Sequence, residues 1–197
     1  MLTTILLVNY FGMIRTIKAF LPLLKVQARD YRDARVINIV SMAGLVVGGL
    51  AAPYHGSKYA AEALSTSLRM ELRPFHIRVI TVNPSFHTSP LTINMRQSVT
   101  KMWSDLPSNL QEEYGDDFFE QFIQNGVGLA ESCMWRARVV QQELVKSVLH
   151  QQPPSQIIVG SDAKYSMMIL RHMPVWLQDW MQSLVLQSSV KPKIMTD

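Results

Sequence analysis

Cysteine is nearly missing from this 197-residue sequence, where Cys133 stands alone. That excludes an intrachain disulfide and any zinc module built on paired cysteines, and it fits a reducing compartment. Charge is sparse as well. Asp, Glu, Lys and Arg make up 17% of the chain, and the net charge of +4 contains no Lys/Arg run longer than two, so no nucleic-acid-binding stripe is expected. Internal repeats and low-complexity linkers are missing too, so the sequence suggests no domain boundary and reads as one domain, 1–197. His55, His76, His87, His150 and His172 show no paired ligand spacing, so no metal site is expected and they read as ordinary core or surface histidines. Met1 to Ile14 is apolar but has neither a basic leading segment nor a small-residue cleavage site, so it does not read as a signal peptide.

What is present is apolar. Residues of that kind make up 48% of the chain, and a chain of this length buries roughly 70% of its unfolded surface, so a core needs no covalent or metal staple. The run from Val36 to Ser57 holds no Asp, Glu, Lys or Arg and is long enough to span a bilayer by count. Its content argues otherwise: Val36 to Val40 is rich in β-branched residues, and Ser41, Gly44, Gly48, Gly49 and Pro53 interrupt any apolar helix. A buried strand followed by a glycine-rich loop fits better.

Periodicity supplies the order of elements. Leu6, Tyr10, Ile14, Ile17 and Leu21 recur at helical steps, which predicts a helix over Leu2 to Lys25 with Pro22 near its end and a polar connector from Gln27 to Asp33. Arg35 to Val40 reads as a strand covered on both faces, Ala51 to Pro74 as a long helix, and Arg78 to Val82 as a second strand closed by Asn83-Pro84-Ser85. Strand, helix, strand implies a parallel βαβ unit. Further helices are expected over Leu91 to Met102, Pro107 to Asn125 and Ala130 to His150, with a short strand at Gln156 to Val159. Glu112, Glu113, Asp116 and Asp117 read as a solvated acidic face, Met167 and Met168 as packing, and Thr88 as a helix N-cap before Leu91. Over Met173 to Val190, the stripe of Trp176, Trp180, Met181 and Leu184 suits either core or a membrane surface.

The segment that carries chemistry is Tyr54-His55-Gly56-Ser57-Lys58. Residues four apart on a helix are neighbours, so an ammonium lies beside a phenol, and a cation there favours the ionised phenol. Such a group exchanges protons with an alcohol or a carbonyl. Ser41 stands thirteen residues earlier, where the chain leaves the first strand. The carboxyl ends of parallel strands are where open α/β sheets place ligands.

Asn9 within Val8-Asn9-Tyr10-Phe11-Gly12, then Val36 to Ser41, Tyr54-x-x-x-Lys58 and Val82-Asn83-Pro84, resemble in order and spacing the short-chain dehydrogenase/reductase family. Trp103 to Tyr114-Gly115 and Gly160-Ser161-Asp162-Ala163-Lys164 look like its retinol dehydrogenase and 17β-hydroxysteroid dehydrogenase branch. The resemblance covers nearly the whole chain. It implies a partial Rossmann-like, doubly wound α/β fold with a parallel sheet and flanking helices, with 1–90 carrying the catalytic part and 91–197 a substrate lid, the last strand and the C-terminal helices. By the same resemblance Tyr54 would be the general acid/base, Ser41 would hold the reacting oxygen, and Lys58 would assist Tyr54 and bind the nicotinamide ribose. Asn9 would anchor a water reaching Lys58, while Pro84 and Thr88 would lie against the NAD or NADP cofactor. A retinoid or steroid is the implied substrate, and Met102, Trp103, Phe118, Phe119 and Phe122 suit a greasy one. The implied location is the endoplasmic reticulum membrane, with cytoplasmic or mitochondrial alternatives.

Two departures qualify the resemblance. Ser85 stands where the family usually has Gly, and a positive φ or a close backbone approach there would strain it. The family's Thr-Gly-x-x-x-Gly-x-Gly turn and Asn-Asn-Ala-Gly strand end are not in this sequence, and the cluster Gly44 to Gly49 has the wrong spacing. The chain therefore resembles the second half of a dehydrogenase without its adenosine-binding half, which implies weak cofactor binding, an impaired oxidoreductase, and an uncovered apolar edge on the first strand. The alternative is a non-catalytic remnant that works by protein association, including a homodimer through the helices bearing Asn9 and Tyr54, or by membrane contact through 173–190.

Overall fold

The computed structural model describes residues 2–48, 51–186 and 192–195. The chain divides into two compact units, Met1–Ser85 with Arg138–Arg171, and Phe86–Ala137 with His172–Asp197.

The first unit is an α/β layer structure. A helical stretch opens with α1 (Leu2–Leu6), widens into a π-helical segment (Leu7–Gly12) and continues as α2 (Met13–Tyr31). Then come β1 (Ala34–Ile39), α3 (Ala52–Leu72) and β2 (Ile77–Pro84). The three strands, completed by β3 (Gln156–Val159), form a parallel sheet in the order β1-β2-β3, with Val36 beside Val79 and Val82 beside Ile157. The register decides what each face buries. Val79 and Ile77 join Val36, Ala34, Leu72 and, from α2, Ile17 and Ala28, while Ile80 and Val82 pack with Ile157, Val159 and Val139, Val140 and Leu144 of the helix that precedes β3. Each fully buried Val or Ile contributes about 1.5–3 kcal/mol relative to exposure, so β2, covered on both faces, anchors the sheet.

Some expectations are corrected. The first helix does not stop at Lys25: α2 runs through Pro22 to Tyr31, because Leu24 and Ala28 beyond the proline still belong to the buried seam. Double-sided cover holds for β2 but not for β1, whose Ile39 is 51% exposed at the sheet edge. The stretch from Thr3 to Tyr31 is also long and apolar enough to cross a membrane, by length and composition.

The second unit is helical. It contains α4 (Pro90–Ile93), α5 (Met95–Ser104), α6 (Ser108–Tyr114), α7 (Asp116–Phe122) and α8 (Gly128–Ser132). The expected single helix over Ala130 to His150 is two: α8 ends at Ser132, and α9 (Ala137–Leu149) starts after Trp135 forms a parallel bridge with His87. Ser89, not Thr88, caps α4: it accepts from the Thr92 amide and its own N–H donates to Thr92 Oγ1. Trp103 stacks on Phe119 at 4.8 Å between centroids. After β3, a π-helical segment (Asp162–Met167) leads through α10 (Met168–Arg171) to α11 (Val175–Leu186). Met167 and Met168 pack beside buried Met42, Leu45 and Ala163, as expected. On α11 the aromatic stripe is not core, since Trp176 and Trp180 are 70% and 56% exposed. Residues 187–190 of the expected tail, like Gly49, lie outside the described residues.

Candidate active site

Ser41 is held at the carboxyl end of β1 from three directions. Its side chain accepts the Ala43 amide at 3.1 Å and caps the short turn Met42–Gly44. Its carbonyl accepts from Asn83 Nδ2, at the same end of β2, at 3.1 Å. The turn itself is pressed onto α3: a Cβ on Gly44 would stand 2.7 Å from the Lys58 carbonyl oxygen. No side chain fits there.

His55 fastens the rest of that loop. Its Nδ1 bonds the Ala43 carbonyl at 3.0 Å and its Nε2 accepts the Gly48 amide at 3.1 Å, an arrangement that assigns the proton to Nδ1. His55 is thus a structural histidine, both of whose ring nitrogens serve the loop that follows Ser41. Gly44, expected only as part of a glycine cluster with unsuitable spacing, has a packing role instead.

Tyr54 and Lys58 lie one turn apart on α3 and face the same side, with Lys58 Nζ 5.8 Å from the phenol ring centroid. Both are half-buried. Burial holds the Lys58 ammonium below the usual lysine range, and no ion pair to it is recorded among the described residues. Asn9 reaches the same helix from the π-helical segment: its Nδ2 donates to Ser57 Oγ at 3.0 Å, and Ser57 Oγ donates to the Tyr54 carbonyl at 2.7 Å. π-helical turns recur at functional sites. The partner of Asn9 is thus 48 residues away in the chain.

Beneath the rim lies a polar network that sequence reasoning missed. Asn83, fully buried, also donates to Glu62 at 2.9 Å, and Glu62 accepts from Gln156 at 3.0 Å and from Thr81 at 3.3 Å. Asn83 Oδ1 is buried with no partner among the described residues. The helical spacing of Tyr54, Lys58, Ala61 and Glu62 was a signal that Glu62 shares their face. Asn38 bonds Ser65 at 2.9 Å nearer the middle of the sheet.

Pro84 ends β2 beside Val159. Ser85 has no positive φ, so the strain considered there does not arise. Its hydroxyl donates to Asp162 at 2.9 Å, and Gly160, at φ +111°, gives way to both. Thr88, in the second unit, donates to the Trp135 carbonyl at 3.1 Å.

With this geometry in view, comparison with known proteins is direct. Residues 2–100 match the short chain dehydrogenase family. Mouse retinol dehydrogenase 7 is 33% identical over 192 residues, which is 95% of this chain and 57% of that enzyme. Human 17-beta-hydroxysteroid dehydrogenase type 6 is 30% identical over 179 residues, 88% of this chain and 53% of that enzyme. The chain thus spans somewhat more than half the length of these relatives. A short chain dehydrogenase from Burkholderia cenocepacia J2315, solved in complex with NADP, superposes with a TM-score of 0.60 over 93% of this chain and 57% of its own, at 19% identity, and shows the shared fold. The chain belongs to the short-chain dehydrogenase/reductase family, on the branch of the retinol and 17β-hydroxysteroid dehydrogenases.

Proposed function

We propose that this chain carries the proton-handling site of a nicotinamide-dependent oxidoreductase that interconverts an alcohol and a carbonyl on a lipophilic substrate such as a retinoid or steroid. The observation that carries the reading is the half-buried Lys58 ammonium, one turn from Tyr54 on the same face of α3. Tyr54 Oη gives its proton to a carbonyl oxygen as it becomes an alcohol, and takes one in the reverse direction. The Lys58 charge stabilises negative charge on that oxygen when the proton is away. Ser41 donates to the reacting oxygen and orients it. Asn9 acts through Ser57 on the backbone of Tyr54 and is a positioning residue.

A nicotinamide dinucleotide, NAD or NADP, would supply the hydride. Lys58, a half-buried cation with no ion pair among the described residues, would hold a ribose hydroxyl of that half of the cofactor, and Tyr54 and Pro84 would flank it. The pyrophosphate half finds no glycine-rich turn in this sequence, so affinity should be weak. Incubating the chain with NAD⁺ or NADP⁺ and a lipophilic secondary alcohol, and following absorbance of the reduced cofactor, tests the reading. Tyr54→Phe should lower turnover by about 10²–10⁴-fold; turnover unchanged in that variant overturns it.

Membrane contact belongs to the same proposal and is supported by exposed Trp176 and Trp180 on α11. Liposome flotation should fall when residues 173–197 are removed. Unchanged flotation would retire this part.

A further inference from the structure

The amino end of the sheet holds a second concentration of chemistry, unrelated to Tyr54. A cavity of about 590 Å³ opens there, lined by Arg32, Arg69, Arg73, His76 and Arg78, with Met70 and Pro153 along its apolar part. Ile77, which starts β2, lies in its wall, whereas Ser41 and Asn83 are at the opposite, carboxyl edge. Among the described residues no Asp or Glu lines it.

Two of the four arginines there are bound into the structure and two are not. Arg69 spends Nε on the Val79 carbonyl at 3.2 Å and Nη2 on the Ser155 carbonyl at 3.3 Å, and forms no ion pair among the described residues. Arg78 bonds the Gln151 carbonyl at 2.5 Å and approaches Asp33 at 3.6 Å, but Asp33 is held more closely by Arg35 at 2.9 Å. The side chains of Arg32 and Arg73 are exposed and make neither a hydrogen bond nor an ion pair among the described residues, their only hydrogen bonds being those of the backbone. Two unpaired guanidiniums beside a third satisfied only by carbonyls form a positive concavity.

The backbone adds an independent observation. Among the described residues only Arg32 (φ 52°) and His76 (φ 57°) combine a side chain with a positive φ, and both line this cavity. Each ends a helical turn in the left-handed conformation, where glycine is the unstrained choice. Strain kept at two positions of one cleft, an arginine and a histidine, points to a use for their side chains.

We infer that this cleft binds a phosphate-bearing anion, with Arg32 and Arg73 as the principal donors and Arg69 and His76 beside them. Guanidinium and phosphate match in charge and in fork geometry. A phosphate ester in solution and the headgroup of an anionic phospholipid present the same group. The site is independent of the oxidoreductase reading and survives or fails without it.

Equilibrium dialysis of the whole chain against labelled inorganic phosphate at low ionic strength tests the inference. The double variant Arg32→Gly, Arg73→Ala removes both unpaired guanidiniums, relieves one positive φ, and should keep or raise Tm. Saturable binding weakened about tenfold or more in that variant, and unchanged when Arg15 and Lys18 on the exposed side of α2 are both replaced by Ala, is the expected result. No saturable binding, equal loss in both variants, or loss accompanied by a lowered Tm would overturn it. Flotation with phosphatidylcholine vesicles containing phosphatidic acid then separates the sources. Capture that free phosphate displaces supports the headgroup form, and phosphate binding without capture supports the soluble ester.

Discussion

The two units of this chain differ in charge and in how they bury their residues. The sheet-bearing unit carries fourteen Lys and Arg against six Asp and Glu, while the helical unit carries five against nine. All three strands are in the first, and so are Asn9, Ser41, Tyr54 and Lys58. All four tryptophans, at 103, 135, 176 and 180, are in the second. In the first unit the polar residues of the site are locked by close backbone approach and by a buried hydrogen-bond network; the second presents short helices with exposed Leu91, Ile93, Trp176 and Trp180. A chemical site needs positions fixed to a fraction of an ångström, and the close approach at Gly44 and the network around Asn83 supply them in the first unit.

The same substitution made in each unit sharpens that contrast. Gly44→Ala should cost about 3 kcal/mol, because its Cβ meets the backbone of Lys58 at 2.7 Å and the turn carrying Ser41 must move. Gly56→Ala, between Tyr54 and Lys58 but with nothing within 4 Å of the new Cβ, should instead stabilise α3 by about 0.5–1 kcal/mol. In the second unit Gly126→Ala meets only the Phe122 ring at 3.0 Å, which can turn aside, and should change stability by no more than about 0.5 kcal/mol. Urea denaturation of the three variants checks the order, and an equal cost at Gly44 and Gly126 would erase the distinction drawn here.

A smaller effect concerns charge. Burial lowers the Lys58 pKa below its ordinary value of 10.5, so the folded chain holds this proton less firmly than the unfolded chain. Stability due to Lys58 therefore rises with pH through the window between the lowered value and 10.5. Lys58→Met should remove that rise and lift Tm at neutral pH by up to about 2 °C, as read by calorimetry across pH. A variant that loses stability at neutral pH would show that the ammonium has a stabilising partner.

Much of this was legible beforehand for physical reasons. Strands with Val and Ile at most positions announce themselves whatever lies around them, so Arg35 to Val40, Arg78 to Val82 and Gln156 to Val159 each fall within a residue or two of the observed strands. The Tyr54 and Lys58 pair was readable because one helical turn fixes their proximity. Long-range contacts were not readable. Nothing local marks His55 as the partner of Gly48, Asn9 as the partner of Ser57, or Gly44 as the point where two backbones meet. Helix ends misled wherever burial outweighed local preference, as at Pro22, or where a bridge interrupted the chain, as at Trp135.

Ser41, Tyr54 and Lys58 are the proposed seat for a nicotinamide and the oxygen it acts on. Backbone amide shifts of the labelled chain, recorded during titration with reduced cofactor, test it residue by residue. Saturable shifts centred on Ser41, Tyr54 and Lys58 that vanish in Lys58→Ala are expected, and shifts confined to Arg32, Arg73 and His76, or none at all, would contradict that seat.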